Sequence, residues 1–372
     1  MNINPDRMIT EFTNLVSIDS KSYEERAMAD YIKARLLSLG FTVTEDDWGN
    51  RFGGNCGNVY GYLEGDQTLS PLLFSSHMDT VEPCTSKKAV VGDDGIIRSA
   101  GNTILGADDC AGIAAILEAL STINETNSIH RPIEVLFTVA EEVYCKGAAA
   151  FDFSKLHSRE AYVLDLTGPV GTAAYKAPTL LSFTVKVKGK SAHAGFAPEE
   201  GVHSILACAK AISTLKMGRM DTETTLNIGV IKGGTANNII PDTCEVTGEI
   251  RSYSHDTALQ TAERVRHHFI DAVSIFGATA EFELQVQVVA YETAIDHPVI
   301  ERFQDICANN QLPFSLVSTF GGSDNHHLAS HNIIGIVIAN AMNGCHSCEE
   351  YTTVEELIHI TELTYGLMTS KL

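Results

Sequence analysis

The sequence predicts a two-domain α/β protein in which a smaller α+β domain is inserted into a larger domain built on a central sheet. Three observations lead to this prediction: the chain has 372 residues, helical and extended patterns alternate early on, and a βαββαβ order later interrupts that alternation. A chain of this length is long for one ordinary core and long enough for two. We therefore expect residues 1–177 and 292–372 to form the larger domain and residues 178–291 the inserted one.

The first segment has the alternation of an α/β domain. The expected elements are helices at 23–39 and 110–123 and strands at 58–63, 71–77, 132–139 and 161–166. The last two strands are nearly continuous apolar runs, which indicates burial on both faces, as in a parallel sheet. The sheet of the larger domain should therefore have its middle strands covered by helices on both sides.

From about residue 178 the pattern changes to longer strands whose two faces differ. The expected elements are strands at 180–189, 224–231, 242–252 and 279–290 and helices at 203–216 and 256–276. This is the order of the split βαβ motif. A helix at 298–309, a buried strand at 333–340 and a helix at 354–369 then resume the first pattern, so the larger domain is discontinuous. Two domains that the chain connects at two points usually enclose a cleft, and ligands often bind in such a cleft.

Composition narrows the classes of function. The chain has 47 acidic and 26 basic residues, a formal charge of -21, which would repel a phosphate backbone or an anionic membrane. We therefore expect neither nucleic acid nor a membrane as a partner. The apolar runs, such as IIGIVIANAM at 333–342, are shorter than the roughly 20 residues that span a bilayer.

The N-terminus and the cysteines suggest where the protein resides. The start MNINPDRMITEF lacks the basic and apolar stretches of a secretory signal, so a cytoplasmic location is expected. Nine cysteines, an odd number without framework spacing, fit reduced thiols. Cys345 and Cys348 have CxxC spacing, which permits a redox or zinc-knuckle interpretation, but no second pair accompanies them.

A histidine ends the first predicted buried strand. His77 closes the segment LLFSSH, and Asp79 follows two residues later. Residues two apart in an extended chain face the same way. Because a metal-binding histidine usually gives its other ring proton to an oxygen acceptor, Asp79 has the spacing to orient His77. Taken alone, the segment fits a packed core histidine beside a loop aspartate at least as well.

Pairs of carboxylates occur at two further places. Asp108 and Asp109 precede the small-residue helix, where one can cap the helix while the other faces a metal. Glu141 and Glu142 directly follow the apolar strand PIEVLFTVA. Adjacent carboxylates repel each other unless a cation or a shared proton relieves them, so a solvated turn and a charged site are both open interpretations.

Asp165 ends another buried strand and His346 follows the last one, so several metal-ligand types gather after buried strands. Ligands of open α/β sheets collect at the carboxyl ends of the strands. The candidate metal ligands are His77, Asp108, Glu142, Asp165 and His346. Two zinc ions carry four positive charges against three carboxylates and two neutral imidazoles, and cobalt or manganese would accept the same set.

At this point the chain resembles a known family. HMDTV, GADD, AEEV, a strand-end aspartate, an inserted domain and a late histidine resemble the co-catalytic two-zinc metallopeptidases, in their peptidase T-like branch. Relatives in that family include carboxypeptidases, aminoacylases and succinyl-diaminopimelate desuccinylase. The resemblance covers nearly the whole chain and implies a zinc-peptidase-like catalytic domain, a mixed central sheet flanked by helices, with an inserted lid domain.

The resemblance also implies a role for each ligand of a two-zinc centre. Asp108 resembles the carboxylate that bridges both ions. His77 and Asp165 would then hold one ion, and Glu142 and His346 the other.

Further residues take roles from the same resemblance. Glu141 resembles the general base, and Asp79 the acid behind the zinc-bound histidine. In the lid domain, His193 of KSAHAG, Asn238 of GGTANNIIPD and Arg251 of GEIRS resemble residues that meet the substrate.

The resemblance implies an enzyme that acts on short peptides. An aspartate at position 165 is typical of aminopeptidase-like members, which indicates release of the N-terminal residue from tripeptides. A carboxypeptidase, an amidohydrolase of N-acyl amino acids and a non-catalytic metal-binding module remain as alternatives. His326, His327 and His331 are interpreted as loop residues, because the five-ligand set is complete without them. Family members often pair through the lid domain, so a homodimer is expected.

Overall fold

The computed structural model describes residues 3–372 and confirms the predicted fold class. The chain forms two compact units. The first contains the residues up to Lys176 together with 292–319 and 323–372, and the second contains 177–291 with Phe320–Gly322. Each unit has its own hydrophobic core.

The helices of the described residues are distributed over both units. They are α1 Pro5–Val16, α2 Arg26–Ser38, α3 Trp48–Phe52, α4 Ala107–Thr126, α5 Lys146–Ala149, α6 Ser204–Thr214, α7 His255–Ser274, α8 Pro298–Asn309, α9 Asn325–Ser330 and α10 Val354–Thr369. Two short 3-10 turns lie at Phe153–Lys155 and Pro198–Glu200.

The strands of the first unit build one large sheet and one small one. Those that precede the second unit in the chain are β1 Thr42–Glu45, β2 Val59–Leu63, β3 Leu72–His77, β4 Ala89–Val91, β5 Ile96–Ser99, β6 Ile133–Thr138, β7 Glu160–Leu166 and β8 Thr172–Ala177. The strands that follow are β9 Thr179–Lys188, β10 Ala192–His193, β11 Gly218–Arg219, β12 Thr224–Gly233, β13 Ile239–Ile240, β14 Thr243–Ser252, β15 Thr279–Val288, β16 Tyr291–Glu292, β17 Ser315–Ser318, β18 Ile334–Ala339 and β19 Tyr351–Thr353.

The large sheet is mixed, and its middle is parallel. Its strand order is β1-β2-β6-β3-β7-β18-β8-β16, with β17 beside β8. The four strands β6, β3, β7 and β18 run parallel to one another, whereas β2 and β8 flank them antiparallel. Every residue of β3 and β6 is buried, and for β6 the continuous apolar run predicted this burial. The carboxyl ends of these four strands therefore meet at one edge of the sheet.

Helix α4 covers the middle of the large sheet. All its residues from Ala107 to Ile123 are buried, and it packs on β3 and β7 and against α1 and α10. Small side chains such as Ala111 and Ala114 permit this close approach, which explains the small-residue pattern of the sequence. At its start the backbone of Asp108 and Asp109 is not helical, so both carboxylates turn toward the strand ends.

The second unit contains the predicted βαββαβ order. Its five-stranded antiparallel sheet has the order β11-β12-β14-β9-β15, and helices α6 and α7 pack on one face. The alternating burial of β9 places Leu181, Phe183, Val185 and Val187 in the core beneath those helices. The additional pair β10 and β13 joins Ala192–His193 to Ile239–Ile240.

The sequence pattern located most elements within a few residues. The predicted helices at 298–309 and 354–369 coincide with α8 and α10. Helix α1 and the β4–β5 hairpin were not predicted, since neither is needed for the alternation that defined the fold class. No helix of residues 3–372 is long and apolar enough to cross a membrane.

Candidate metal centre

His77 is the last residue of β3 and is almost fully buried. Its Nδ1 lies 2.9 Å from the main-chain oxygen of Asp79 and 3.5 Å from Oδ1 of that residue. A carbonyl oxygen only accepts, so Nδ1 carries a proton and Nε2 is the atom that faces the strand-end carboxylates. Asp79 therefore orients His77 as expected, although mainly through its main-chain oxygen rather than through its carboxylate.

Nε2 of His77 faces two of the other candidate ligands. It lies 3.0 Å from Oδ1 of Asp108 and 3.9 Å from Oδ1 of Asp165. Burial by itself would lower the pKa of His77, but hydrogen bonds to Asp108 and Asp79 raise that pKa well above its usual value. These contacts place His77, Asp108 and Asp165 around a common point.

Asp108 and Asp109 have different roles. The sequence predicted that one caps the helix and the other faces a metal, without indicating which. Asp108 faces the histidines, whereas Asp109 turns inward and accepts the N–H of Gly112 at 3.3 Å and the N–H of His77 at 3.1 Å. Asp109 also accepts short hydrogen bonds from Ser76 Oγ and Asn340 Nδ2. It thus caps α4 and fixes the end of β3, while Asp108 is left for a ligand.

His346 reaches the same carboxylates from the loop after β18. Its Nε2 lies 3.1 Å from Oε2 of Glu142 and 3.3 Å from Oδ2 of Asp108. These two hydrogen bonds raise the pKa of His346 to about 10. Asp108 therefore has one oxygen on each histidine, the arrangement required of a bridging carboxylate.

The main chain of Glu141 and Glu142 is held by Asp79. Oδ1 of Asp79 accepts the N–H of Glu141 at 2.9 Å, and Oδ2 accepts the N–H of Glu142 at 3.2 Å. Burial raises the pKa of both glutamates. Oε1 of Glu142 is buried and has no hydrogen-bond partner in the part of the chain that the structure describes.

The five predicted ligands therefore converge. Ligand atoms of His77, Asp108 and Glu142 lie within 4.8 Å of one another, as do those of His77, Glu141 and Asp165. Glu141 thus lies as near to His77 and Asp165 as a ligand would, so distance alone does not distinguish a ligand from a base within the pair.

The donor set fits divalent cations. Four buried or largely buried carboxylates meet two imidazoles here. Burial, with the charge of Glu141 as a further cause, raises the pKa of Asp165. Buried carboxylates without enough counter-charge are costly. Cations between these groups would give the unpartnered Oε1 of Glu142 a partner. They would also bind the two oxygens of Asp108, which face His77 and His346. Oxygen and imidazole nitrogen ligands suit Zn²⁺, Co²⁺ and Mn²⁺.

Several residues that support the site were not found from the sequence. Glu350 is buried and accepts the N–H groups of Gly106 at 2.6 Å and Asp108 at 2.9 Å. Asn340 donates to Asp109 and to the main-chain oxygen of Leu164. The position of Glu350 four residues after His346 was the available indication, but acidic residues are common in loops.

A second group adjoins Glu141 from behind. Ligand atoms of Glu141, Cys145 and Asp324 lie within 4.8 Å of one another, and Cys145 Sγ is 3.2 Å from Oε1 of Glu141. Burial raises the pKa of Asp324 to about 6. Asp324 belongs to the segment GGSDNHH, whose histidines were interpreted as loop residues. No candidate metal group among residues 3–372 includes His326, His327 or His331.

His193 and Asn238 both belong to the second unit and are exposed. His193 ends β10, and Asn238 directly precedes β13, the strand that pairs with β10. Nδ1 of His193 accepts the N–H groups of Gly195 and Phe196, each at 3.1 Å, and the ring stacks on Phe196. In the neutral ring the proton is therefore on Nε2, which is available as a donor. The main-chain oxygen of Asn238 accepts the N–H of Ala194 at 3.0 Å.

Arg251, which the resemblance assigns to the substrate, is already paired within the protein. Its Nε and Nη2 donate to the two carboxylate oxygens of Glu249 at 2.9 and 3.1 Å, and Nη1 donates to the main-chain oxygen of Phe320 at 2.6 Å. Residues 249 and 251 share one face of β14, which allows this two-bond pairing. Three of the five N–H donors of Arg251 are therefore already engaged.

Comparison with known proteins agrees with this fold. The family model "Peptidase dimerisation domain" of the M20 peptidases matches residues 175–274, and the model "Peptidase family M28" matches residues 58–200. Over its full length the chain is similar to the uncharacterized protein YqjE of Bacillus subtilis, with 35% identity over 98% of both chains.

Two solved structures are similar over the whole chain. A tripeptidase from Staphylococcus aureus has 32% identity and a TM-score of 0.94, covering 99% of this chain and 98% of its own. An aminopeptidase PepT from Bacillus cereus has 35% identity and a TM-score of 0.90 with the same coverage. The chain therefore belongs to the M20 peptidase family, in its peptidase T-like branch. It is a hydrolase of the peptidase class.

Proposed function

We propose that this protein is a two-metal exopeptidase that releases the N-terminal residue of tripeptides. The observation that carries the proposal is Asp108, whose two oxygens face His77 at 3.0 Å and His346 at 3.3 Å. One carboxylate between two histidines is the arrangement needed to join two metal ions. The names of the similar structures, a tripeptidase and an aminopeptidase PepT, support the substrate class.

The proposed ligand set is that of the sequence analysis. Asp108 would bridge two zinc ions, His77 and Asp165 would complete one site, and Glu142 and His346 the other. Bound metal ions supply two things that amide hydrolysis lacks, a bound water of lowered pKa and a polarised substrate carbonyl.

Glu141 is proposed as the general base. Its main-chain N–H is fixed by Asp79, and burial raises its pKa above the usual value for a glutamate. A raised pKa makes a carboxylate a better proton acceptor. In this role Glu141 takes a proton from the attacking water and delivers it to the leaving amine. Glu142, one residue later, differs in having His346 within 3.1 Å, which favours a ligand role.

The lid residues are proposed to act on the substrate. His193 has Nε2 free to donate a hydrogen bond to the carbonyl oxygen on which negative charge develops. Asn238 is proposed to donate to the same substrate. Arg251 is proposed to bind the terminal carboxylate of the peptide, either with its two remaining N–H groups or by exchange with Glu249. We also propose a cytoplasmic homodimer formed through the lid domain, residues 178–291.

A peptide panel tests the proposal. Zinc-reconstituted protein is assayed on tri-alanine, N-acetyl tri-alanine, tri-alanine amide and di-alanine, with the released residue identified by chromatography. The proposal expects release of the N-terminal alanine from tri-alanine and no hydrolysis of the acetylated peptide. Preferential hydrolysis of the acetylated peptide would favour an N-acyl amino acid amidohydrolase instead. Release of the C-terminal alanine would favour a carboxypeptidase, and no turnover of any peptide by metal-loaded protein would favour a binding module.

A further inference from the structure

We infer that Glu25 is a positioning residue for the proposed catalytic pair, because its carboxylate holds the main chain from which Glu141 and Glu142 project. The inference rests on the proposed function, in which Glu141 is the base and Glu142 a metal ligand. It assigns a task to a residue of the N-terminal region that is distant in sequence from every proposed ligand.

Four consecutive main-chain amides after β6 are held by side chains of other segments. The N–H of Val139 donates to Oδ1 of Asn58 at 3.1 Å, and the N–H of Ala140 donates to Oε1 of Glu25 at 3.0 Å. The next two amides, of Glu141 and Glu142, donate to the carboxylate of Asp79. The path of this segment is therefore fixed by side-chain acceptors and not by a strand or helix.

Ala140 is the residue where such support is needed most. Its φ is 53°, in the left-handed region that L-residues other than glycine, asparagine and aspartate seldom adopt. A residue held in this conformation is strained, and it persists only when its surroundings impose it. Two hydrogen bonds hold Ala140 one position before the proposed base: its N–H donates to Glu25 Oε1 at 3.0 Å, and its main-chain oxygen accepts the N–H of Lys146 at 3.0 Å. Glu25 provides the side-chain contact of this pair.

Glu25 shows by its own geometry that it is directed to this loop. It occupies the N-cap position of α2, yet its side chain makes no capping hydrogen bond to that helix. Instead Oε1 accepts the N–H groups of Tyr23 at 2.9 Å and Ala140 at 3.0 Å. The residue is fully buried, and its Oε2 has no hydrogen-bond partner among residues 3–372. A buried carboxylate with an unpaired oxygen is unfavourable for folding alone.

The same short segment supports the second anchor. Ser22, three residues before Glu25, donates from Oγ to Oδ2 of Asp79 at 2.7 Å. Segment 22–25 thus contacts Ala140 directly and the Asp79 carboxylate through Ser22. Any displacement of the segment is passed to the main chain of both glutamates.

Two substitutions of Glu25 change the length of the side chain and its charge separately, which allows a direct test. Glu25→Gln keeps the length and an acceptor oxygen but removes the charge. Glu25→Asp keeps the charge but is one methylene shorter, so its oxygen no longer reaches the N–H of Ala140 without movement. A positioning role depends on the acceptor at the correct place, so the glutamine variant should function and the aspartate variant should fail.

Glu134, in strand β6, provides a matched control. Glu134 is also fully buried and also accepts main-chain N–H groups, of His157 at 3.0 Å and Ser158 at 2.6 Å, but near the amino end of β6. Glu134→Asp should therefore lower the melting temperature without a selective effect on turnover. This control distinguishes the loss of a buried anchor in general from the loss of this one.

The experiment measures kcat, KM, zinc content and Tm for the wild type, Glu25→Gln, Glu25→Asp and Glu134→Asp on tri-alanine. We expect Glu25→Asp to lose roughly 10- to 100-fold in kcat, since displacement of about 1 Å costs about that much, with KM and zinc content nearly unchanged. Glu25→Gln should stay within about threefold of the wild type. Absence of turnover by the zinc-loaded wild type would refute the proposed function and not this inference.

Other outcomes contradict the inference itself. An active Glu25→Asp beside an impaired Glu25→Gln would assign an electrostatic role to the residue. Equal kcat values for Glu25→Asp and Glu134→Asp would make Glu25 a structural residue only. If Glu25→Asp does not fold, Glu25→Gln decides, because a loss of more than about tenfold in kcat at unchanged Tm overturns an acceptor-only role.

Discussion

Glu350 joins the loop of Asp108 to the loop of His346. Its carboxylate oxygens accept the N–H groups of Gly106 and Asp108 at 2.6 and 2.9 Å, and it lies four residues after His346. Asp108 and Glu350 are 242 residues apart in the sequence, so the two loops meet only through the fold. The proposed bridging carboxylate is therefore set in place by the segment that also supplies the last ligand.

Removal of Glu350 should loosen the metal site without removing a ligand. We expect Glu350→Ala to bind zinc about 10- to 100-fold more weakly, the usual cost of losing a group that supports a metal ligand. Competition with a chromophoric chelator measures the affinity. Glu349→Ala, which changes the neighbouring exposed residue, is the control and should bind zinc as the wild type does. Equal affinities for the two variants would show that Glu350 does not support the site.

The two adjacent glutamates should respond differently to the same substitution. Glu141→Ala should keep both metal ions and lose about 10²- to 10⁴-fold in turnover, because a proton shuttle is removed. Glu142→Ala should lose a metal ion, since its Oε2 faces His346 at 3.1 Å. Elemental analysis and kcat of the two variants are compared. Identical behaviour would mean that the roles within the pair are misassigned, an outcome that the nearness of Glu141 to His77 and Asp165 leaves open.

Metal removal should destabilise the first unit. The carboxylates of Asp108, Glu142 and Asp165 crowd two histidines, and bound cations relieve their repulsion. A ligand present at 100 times its dissociation constant stabilises the folded state by about 2.7 kcal/mol. We expect a chelator to lower Tm and added zinc to restore it, as followed by calorimetry. Asp108→Asn should abolish most of this shift, and an unchanged Tm in the wild type would contradict metal binding at these residues.

The lid residues should divide between binding and turnover. Arg251→Ala should raise KM for tri-alanine but leave KM for tri-alanine amide unchanged, because only the free peptide presents a carboxylate. The increase should be about tenfold or less, since Glu249 already engages Arg251 and the pair is partly exposed to solvent. His193→Ala should lower kcat by about 10²- to 10³-fold, the usual cost of removing an oxyanion donor.

Steady-state kinetics on the two peptides separates these effects, and Lys186→Ala provides a control. Lys186 forms an ion pair with Glu283 within the same sheet and has no proposed contact with substrate. Wild-type kcat/KM in both lid variants would mean that this domain does not select the substrate.

Much of the fold was predictable, because the burial of a strand or helix determines which of its positions are apolar. Strand β6 is buried throughout and was recognised as a continuous apolar run. The ligands were recognised for a related reason, because each follows such a run or opens the small-residue helix. The choice between Asp108 and Asp109 required the structure, since both are acidic, and only the backbone turn before α4 makes one a cap.

The supporting residues were not predictable, and neither was the pairing of Arg251. Glu25 and Glu350 act through hydrogen bonds to main-chain amides distant in sequence, and no local spacing reports such a contact. The sequence assigned Arg251 to the substrate without indicating a protein partner, and the structure pairs it with Glu249 on the same face of β14. A strand places residues two apart on one face, yet the sequence does not show which of several polar neighbours an arginine selects.

Titration of the metal-free protein with zinc, with tri-alanine hydrolysis measured at each step, tests the account most directly. Five ligands with one shared carboxylate fill two sites, so activity should appear only with metal and reach its maximum at about two zinc ions per chain. Release of the N-terminal alanine should follow the same curve. Full activity without metal, or a maximum at one ion per chain, would contradict the two-metal exopeptidase proposed for this site.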